Sequence, residues 1–208
     1  RLRQIHRILS EYQTPWTESG RPAYYLDANG RYDTLDHINR LLEYADRIGA
    51  LEQILLLEEP FPEQRIQNVS SLPVTVAGDE SAHSADDAIC LIDEYGYGAM
   101  TLKPIAKTLS VSWEVLEAAS ARGVPCFCAD LTVNPDMVEL NKRFAAHIPV
   151  LPGLKAGVFE SNGGQNYRNW ERMCRASSSW GKSWSVLEQG LYHLDADYYS
   201  TYGDQWLN

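Results

Sequence analysis

Short apolar runs alternate with amphipathic stretches along most of this chain, and the two periodicities read as strands and helices in turn. Leu2, Ile5, Ile8, Leu9 and Tyr12 recur at spacings of three and four, so the chain opens in a helix that stops before Pro15. Tyr24 to Asp27 reads as a strand followed by an Ala-Asn-Gly turn, and Leu35 to Ile48 as a helix with Leu35, Ile38, Leu41, Leu42 and Ala45 inward. The alternation continues with strand Ile54 to Glu58, a broken helical stretch after Pro62, strand Val74 to Asp79, helix Ala85 to Tyr95 and strand Ala99 to Lys103. A helix from Ser112 to Arg122 ends at Gly123, as a left-handed cap requires. Strand Pro125 to Ala129, helix Met137 to Ala146 and a last strand Ala156 to Glu160 complete the series.

These strands are short, apolar on both faces and separated by helices, the pattern of a parallel sheet covered by helices. The fold class is therefore α/β, an incomplete (β/α) TIM-type barrel with about six of the eight units that a closed barrel needs. Two further strands are expected ahead of Arg1. The partial barrel is expected over residues 1–175, and residues 176–208 form an aromatic-rich tail expected to pack on the barrel or on a capping domain.

Three of the predicted strands end in an acidic residue: Asp27, Glu58 and Asp79. In a parallel barrel the strand ends converge at one rim, so these carboxylates would meet, and converging carboxylates require a cation. A hard divalent ion suits oxygen donors, and Mg²⁺ is the expected cofactor. Glu59 and Glu80 adjoin two of the candidates and replace them if a strand ends one residue later.

The 208 residues, 44% of them hydrophobic, suffice for a sizeable core. A net charge of −10 argues against nucleic acid as a partner, because phosphate binding relies on Lys and Arg. No apolar run reaches the roughly 20 residues that cross a bilayer, so no membrane partner is expected. Cys90, Cys126, Cys128 and Cys174 lack paired spacing and read as reduced core thiols, which favours the cytoplasm.

Four motifs then fall in order: Leu-Asp-Ala-Asn-Gly at 26–30, Leu-Glu-Glu-Pro-Phe at 57–61, Ala-Gly-Asp-Glu-Ser at 77–81 and Thr-Leu-Lys-Pro-Ile-Ala-Lys at 101–107. Together they resemble the mandelate racemase and muconate lactonizing enzyme branch of the enolase superfamily, over roughly residues 24–165. The resemblance implies metal ligation by Asp27, Glu58 and Asp79 and a small carboxylate substrate, whose α-proton is removed through an enediolate. Lys103 matches the family's sixth-strand position and is expected as general base or acid, its ammonium form disfavoured by the nearby ion. Asn29 is expected to touch the substrate's polar substituent, Glu160 to hydrogen-bond its carboxylate, and Asp130 to act as a second acid/base group.

Two departures stand out. Where the family carries a Gly-Gly pair after the lysine, this chain has Thr108, Leu109 and Ser110, and where a His-Asp dyad would place His it offers Cys128 and Asp130. The family's second-strand Lys-x-Lys and most of its capping domain would lie before Arg1. The expected activity is a Mg²⁺-dependent lyase or isomerase, with sugar-acid dehydration first, then racemisation, epimerisation or cycloisomerisation. The rival is a non-catalytic barrel or a fragment that binds a ligand. A homo-oligomer is expected, with the number of copies open.

Overall fold

A computed structural model describes residues 1–129 and 132–202. Five parallel strands, β1 (Tyr24–Asp27), β2 (Ile54–Glu58), β3 (Val76–Gly78), β4 (Ala99–Leu102) and β5 (Cys126–Cys128), pair in sequence order into one curled sheet. The expected sixth strand is reduced to one parallel bridge, in which Cys128 meets Phe159 and the Glu160 amide donates to the Cys128 carbonyl at 3.1 Å. Gly157 lies within that segment, and a glycine weakens a strand.

Helix α1 (Leu2–Leu9) precedes the sheet, and helices α2 (Leu35–Arg47), α3 (Ala85–Asp93), α4 (Leu109–Ser120) and α5 (Pro135–Ala146) connect or follow the strands. The central ones start where side chains cap them: Ser84 accepts from the Asp87 amide, Thr108 from Val111 and Asn134 from Met137. With Thr108 as its cap, α4 begins at Leu109, three residues ahead of the expected Ser112. Gly123 takes φ +69, the left-handed geometry that its position after α4 predicts. Short helices α6 (Gly163–Asn166), α7 (Trp170–Ala176) and α8 (Ala196–Tyr202) and a hairpin of β6 (Leu187–Glu188) with β7 (Leu191–Tyr192) complete the described chain.

The strand period of two divides the core. Tyr24, Leu57, Val76, Met100, Leu102, Cys126 and Cys128 face the helices and bury Ile38, Leu42 and Ala45 of α2, Leu91 of α3 and Val115 of α4. The opposite face carries Leu56, Ala77, Ala99, Phe127 and Ala129, with Tyr25, Leu154 and Val158 packed against them. Small Ala77 and Ala99 beside large Phe127 suit a tightly curved inner face. Gly78 brings β3 onto α3, since a Cβ there would stand 2.9 Å from Leu91 Cδ1. Cys126 and Cys128, free and buried, have their thiol pKa values pushed up to about 12 by desolvation, which makes them packing groups.

Thr108 has φ +71 and ψ 155, a region that β-branched residues avoid and glycine enters freely. The backbone at this position thus has the conformation that glycine would favour, while the threonine hydroxyl caps α4. Relief of strain outweighs the few tenths lost when glycine replaces a capping residue, so Thr108→Gly is expected to raise stability by about 1 kcal/mol, measured by urea unfolding.

Candidate active site

The inner-face parity that places Leu56, Ala77 and Ala99 inside the curl also turns Asp27, Glu58, Asp79, Thr101 and Lys103 toward the same side at the strand ends. Asp27 pairs in register with Glu58, and Glu58 with Ala77, so the carboxylates lie on neighbouring strands at one rim. Glu58 is 2% exposed and Asp79 is 3% exposed. Thr101, also buried, donates its hydroxyl to Glu58 Oε1 at 2.8 Å. Burial first, and the charge of Asp79 second, push the Glu58 pKa up to about 8.

Asp79 is gripped by two lysines. Lys103 Nζ pairs with its Oδ2, and Lys107 Nζ reaches its Oδ1 at 3.3 Å while donating to the carbonyl oxygens of Asp79 and Ala82. Lys107 thus clamps the turn after β3. A lysine four residues beyond a predicted strand-end lysine was the sole sequence signal for this role.

The neighbouring acids divide their work. Glu59, with φ +35, turns back across β3, where its carboxylate accepts from the Asp79 amide at 2.7 Å and from the Ser81 hydroxyl. This commits both Glu59 oxygens to the β3 turn. Glu80 Oε2 is buried without a hydrogen-bond partner among the described residues, and desolvation with Asp79 raises its pKa.

Asp27 is exposed, and Asn29 holds it through its side-chain amide and through its backbone amide at 2.9 Å. Asn29 adopts φ +49, which asparagine tolerates, and its side chain shares the Asp27 side of the segment. Glu160 is half-buried beside the end of β5. Asp130 lies outside the described residues. His83 points to Glu63, 3.1 Å away, on the exposed surface.

Among the described residues no group of three His, Cys, Asp or Glu side chains is arranged to hold a metal ion. The geometry gives the reason: Asn29 draws Asp27 aside, and the lysines take Asp79. The donor chemistry nevertheless fits a hard cation. Glu58, Glu59, Asp79 and Glu80 crowd two strand ends against two ammonium groups, one acid is driven toward its neutral form, and another leaves an oxygen unsatisfied.

No protein-family model matches the sequence, and no curated protein matches it. Solved structures do. A mandelate racemase/muconate lactonizing protein from Herpetosiphon aurantiacus is 23% identical with a TM-score of 0.52, over 69% of this chain and 38% of that one. The 2-chloromuconate cycloisomerase of Rhodococcus opacus 1CP is 25% identical with a TM-score of 0.54, over 64% of this chain and 36% of that one. A dipeptide epimerase from Enterococcus faecalis V583, solved with Mg and the dipeptide L-Leu-L-Tyr, is 20% identical with a TM-score of 0.50, over 67% and 38%.

The fold is that of an incomplete TIM-type barrel, similar over part of its length to the barrels of these mandelate racemase/muconate lactonizing proteins. The chain spans less than two fifths of the length of these relatives. No described helix is long and apolar enough to cross a membrane.

Because the Glu58 pKa is raised, the folded protein keeps a proton there that the unfolded chain has lost between about pH 4.5 and 8. Its burial therefore costs more stability as pH rises through that window. Glu58→Gln, which can still accept from Thr101, removes this cost. In EDTA-treated protein the Tm difference, variant minus parent, is expected to grow from pH 5 upward and level off above about pH 8.

Proposed function

We propose that this chain supplies the metal-binding and proton-transfer rim of an enzyme that removes the α-proton of a small carboxylate substrate. The observation that carries this reading is the buried acid cluster of Glu58 and Asp79 with Lys103 set against it on the next strand. Such a cluster outside a functional site would be a net cost, since each buried carboxylate loses hydration.

Asp27, Glu58 and Asp79 would hold Mg²⁺, the ion present in the Enterococcus faecalis epimerase complex. When bound, the ion supplies Lewis-acid stabilisation of the charge that develops on the substrate carboxylate. Lys103, on the segment leaving β4 and paired with Asp79, would take or return the α-proton. Thr101 orients Glu58 through its hydroxyl, and Lys107 fixes the backbone that carries Asp79. Asn29, beside Asp27, and Glu160, at the end of the bridged segment, would meet polar groups of the substrate.

Within this reading, water loss from a sugar acid is the first outcome to test. A second outcome, isomerisation, gains support from the cycloisomerase and epimerase named among the structural neighbours. Both begin with the same proton abstraction.

Two outcomes are expected with the full encoded protein. Candidate carboxylates incubated in D₂O should exchange the α-proton in a Mg²⁺-dependent way, and Lys103→Ala should slow that exchange by about 10²- to 10⁴-fold, followed by NMR. Asp79→Asn should weaken Mg²⁺ binding by roughly tenfold or more in calorimetry. Undiminished exchange in Lys103→Ala removes Lys103 from the chemistry, and unchanged Mg²⁺ affinity removes Asp79 from the site.

A further inference from the structure

Two lysines meet one buried carboxylate at the rim, and they meet it differently. Lys103 Nζ, on the segment leaving β4, pairs with Asp79 Oδ2. Lys107 Nζ directs its hydrogens mainly at the main chain, donating to the carbonyl oxygens of Asp79 and Ala82, and stands 3.3 Å from Oδ1. The Asp79 side chain is 4% exposed, so little water screens either pair. All of these groups lie on the adjoining segments that leave β3 and β4.

The difference decides what each lysine does when Asp79 serves as a ligand. A small hard cation draws a carboxylate oxygen to roughly 2.1 Å, which puts an ammonium on that same oxygen only a few ångströms from a double charge. In a poorly screened site that repulsion is strong. Lys103 stands on the contested oxygen, and its flexible four-carbon stem lets it swing away. Lys107, tied to two carbonyl oxygens, holds the turn whether or not its longer contact to Oδ1 persists.

We propose that Lys103 and the divalent cation compete for Asp79 Oδ2, so that binding of the cation releases the lysine from Asp79 and makes it available to the substrate. This inference rests on the metal and proton-transfer reading above and adds the order of events within it: cation first, proton transfer second. The Lys103 charge also favours the ionised forms of Glu58 and Glu80, so the ammonium serves as counterion to the whole acid group until the cation takes over that part. The salt bridge thereby holds the base on one of the protein's own carboxylates until the metal is seated.

Mg²⁺ calorimetry on the full encoded protein, at fixed pH and ionic strength and without substrate, tests the competition. Lys103→Met and Lys103→Gln remove the competitor and are expected to bind Mg²⁺ roughly tenfold more tightly than the parent. Lys103→Arg keeps the charge and the pairing, and its affinity is expected to stay at or below that of the parent. Lys107→Met is expected to gain no affinity, because it loosens the turn that presents Asp79. Parent-level or weaker binding by folded Lys103→Met and Lys103→Gln, with binding weakened in Asp79→Asn, would overturn the competition and leave the metal-site reading standing. An equal gain in Lys107→Met would also overturn it, since loss of any nearby positive charge would then suffice. Parent-level binding by Asp79→Asn would instead remove Asp79 from the metal site, and this inference with it.

Discussion

Carboxyl groups crowd the exit ends of β2 and β3, and the ammonium groups of Lys103 and Lys107 hold them together against mutual repulsion. The rest of the rim follows from that contest. Burial makes each carboxylate expensive to charge, and the two lysines both converge on Asp79, which leaves Glu58 with Thr101 and a pKa near 8. The rim thus gathers the carboxyl groups of Glu58, Glu59, Asp79 and Glu80 around two ammonium groups. The same contest explains why Asp27, exposed and held by Asn29, stands apart from the buried acids.

The sheet makes this arrangement possible through its parity. On five parallel strands, alternate residues face either the helices or the concave side. The outer row is large and apolar and packs α2, α3 and α4. The inner row begins with Leu56, Ala77, Ala99 and Phe127 and continues, past the last ladder bonds, into the polar side chains of the rim. A slip of one residue in any strand would bury its chemistry against a helix. The close approach of β3 to α3 at Gly78, immediately before Asp79, fixes the strand that carries the central acid.

Backbone strain collects around the rim as well. Glu59 and Thr108, neither of them glycine, hold positive φ, one where β2 turns away and one where α4 begins. Glu59 is held there by the Asp79 amide and Ser81, and Thr108 by its cap on Val111. Glu59 adjoins Glu58, a proposed ligand, and Thr108 adjoins Lys107, the clamp of the Asp79 turn; stored strain is commonly found at such sites.

The alternation of apolar runs and amphipathic stretches determined the parallel α/β class, the order of the elements and the strand-end placement of Asp27, Glu58, Asp79 and Lys103, because period and turn chemistry are local properties. Gly123 was legible as a helix stop for the same reason. Tertiary packing alone decided the rest. Glu58 and Glu59 are indistinguishable in sequence, and only a positive φ at Glu59 sends one carboxylate to the rim and the other onto β3. The segment Ala156 to Glu160 reads as a strand, yet it keeps one bridge, since strand identity depends on what lies alongside. Lys107 became the clamp of the Asp79 turn, and Trp184 and Tyr198 became anchors on α5, through contacts far apart along the chain, which no local pattern encodes.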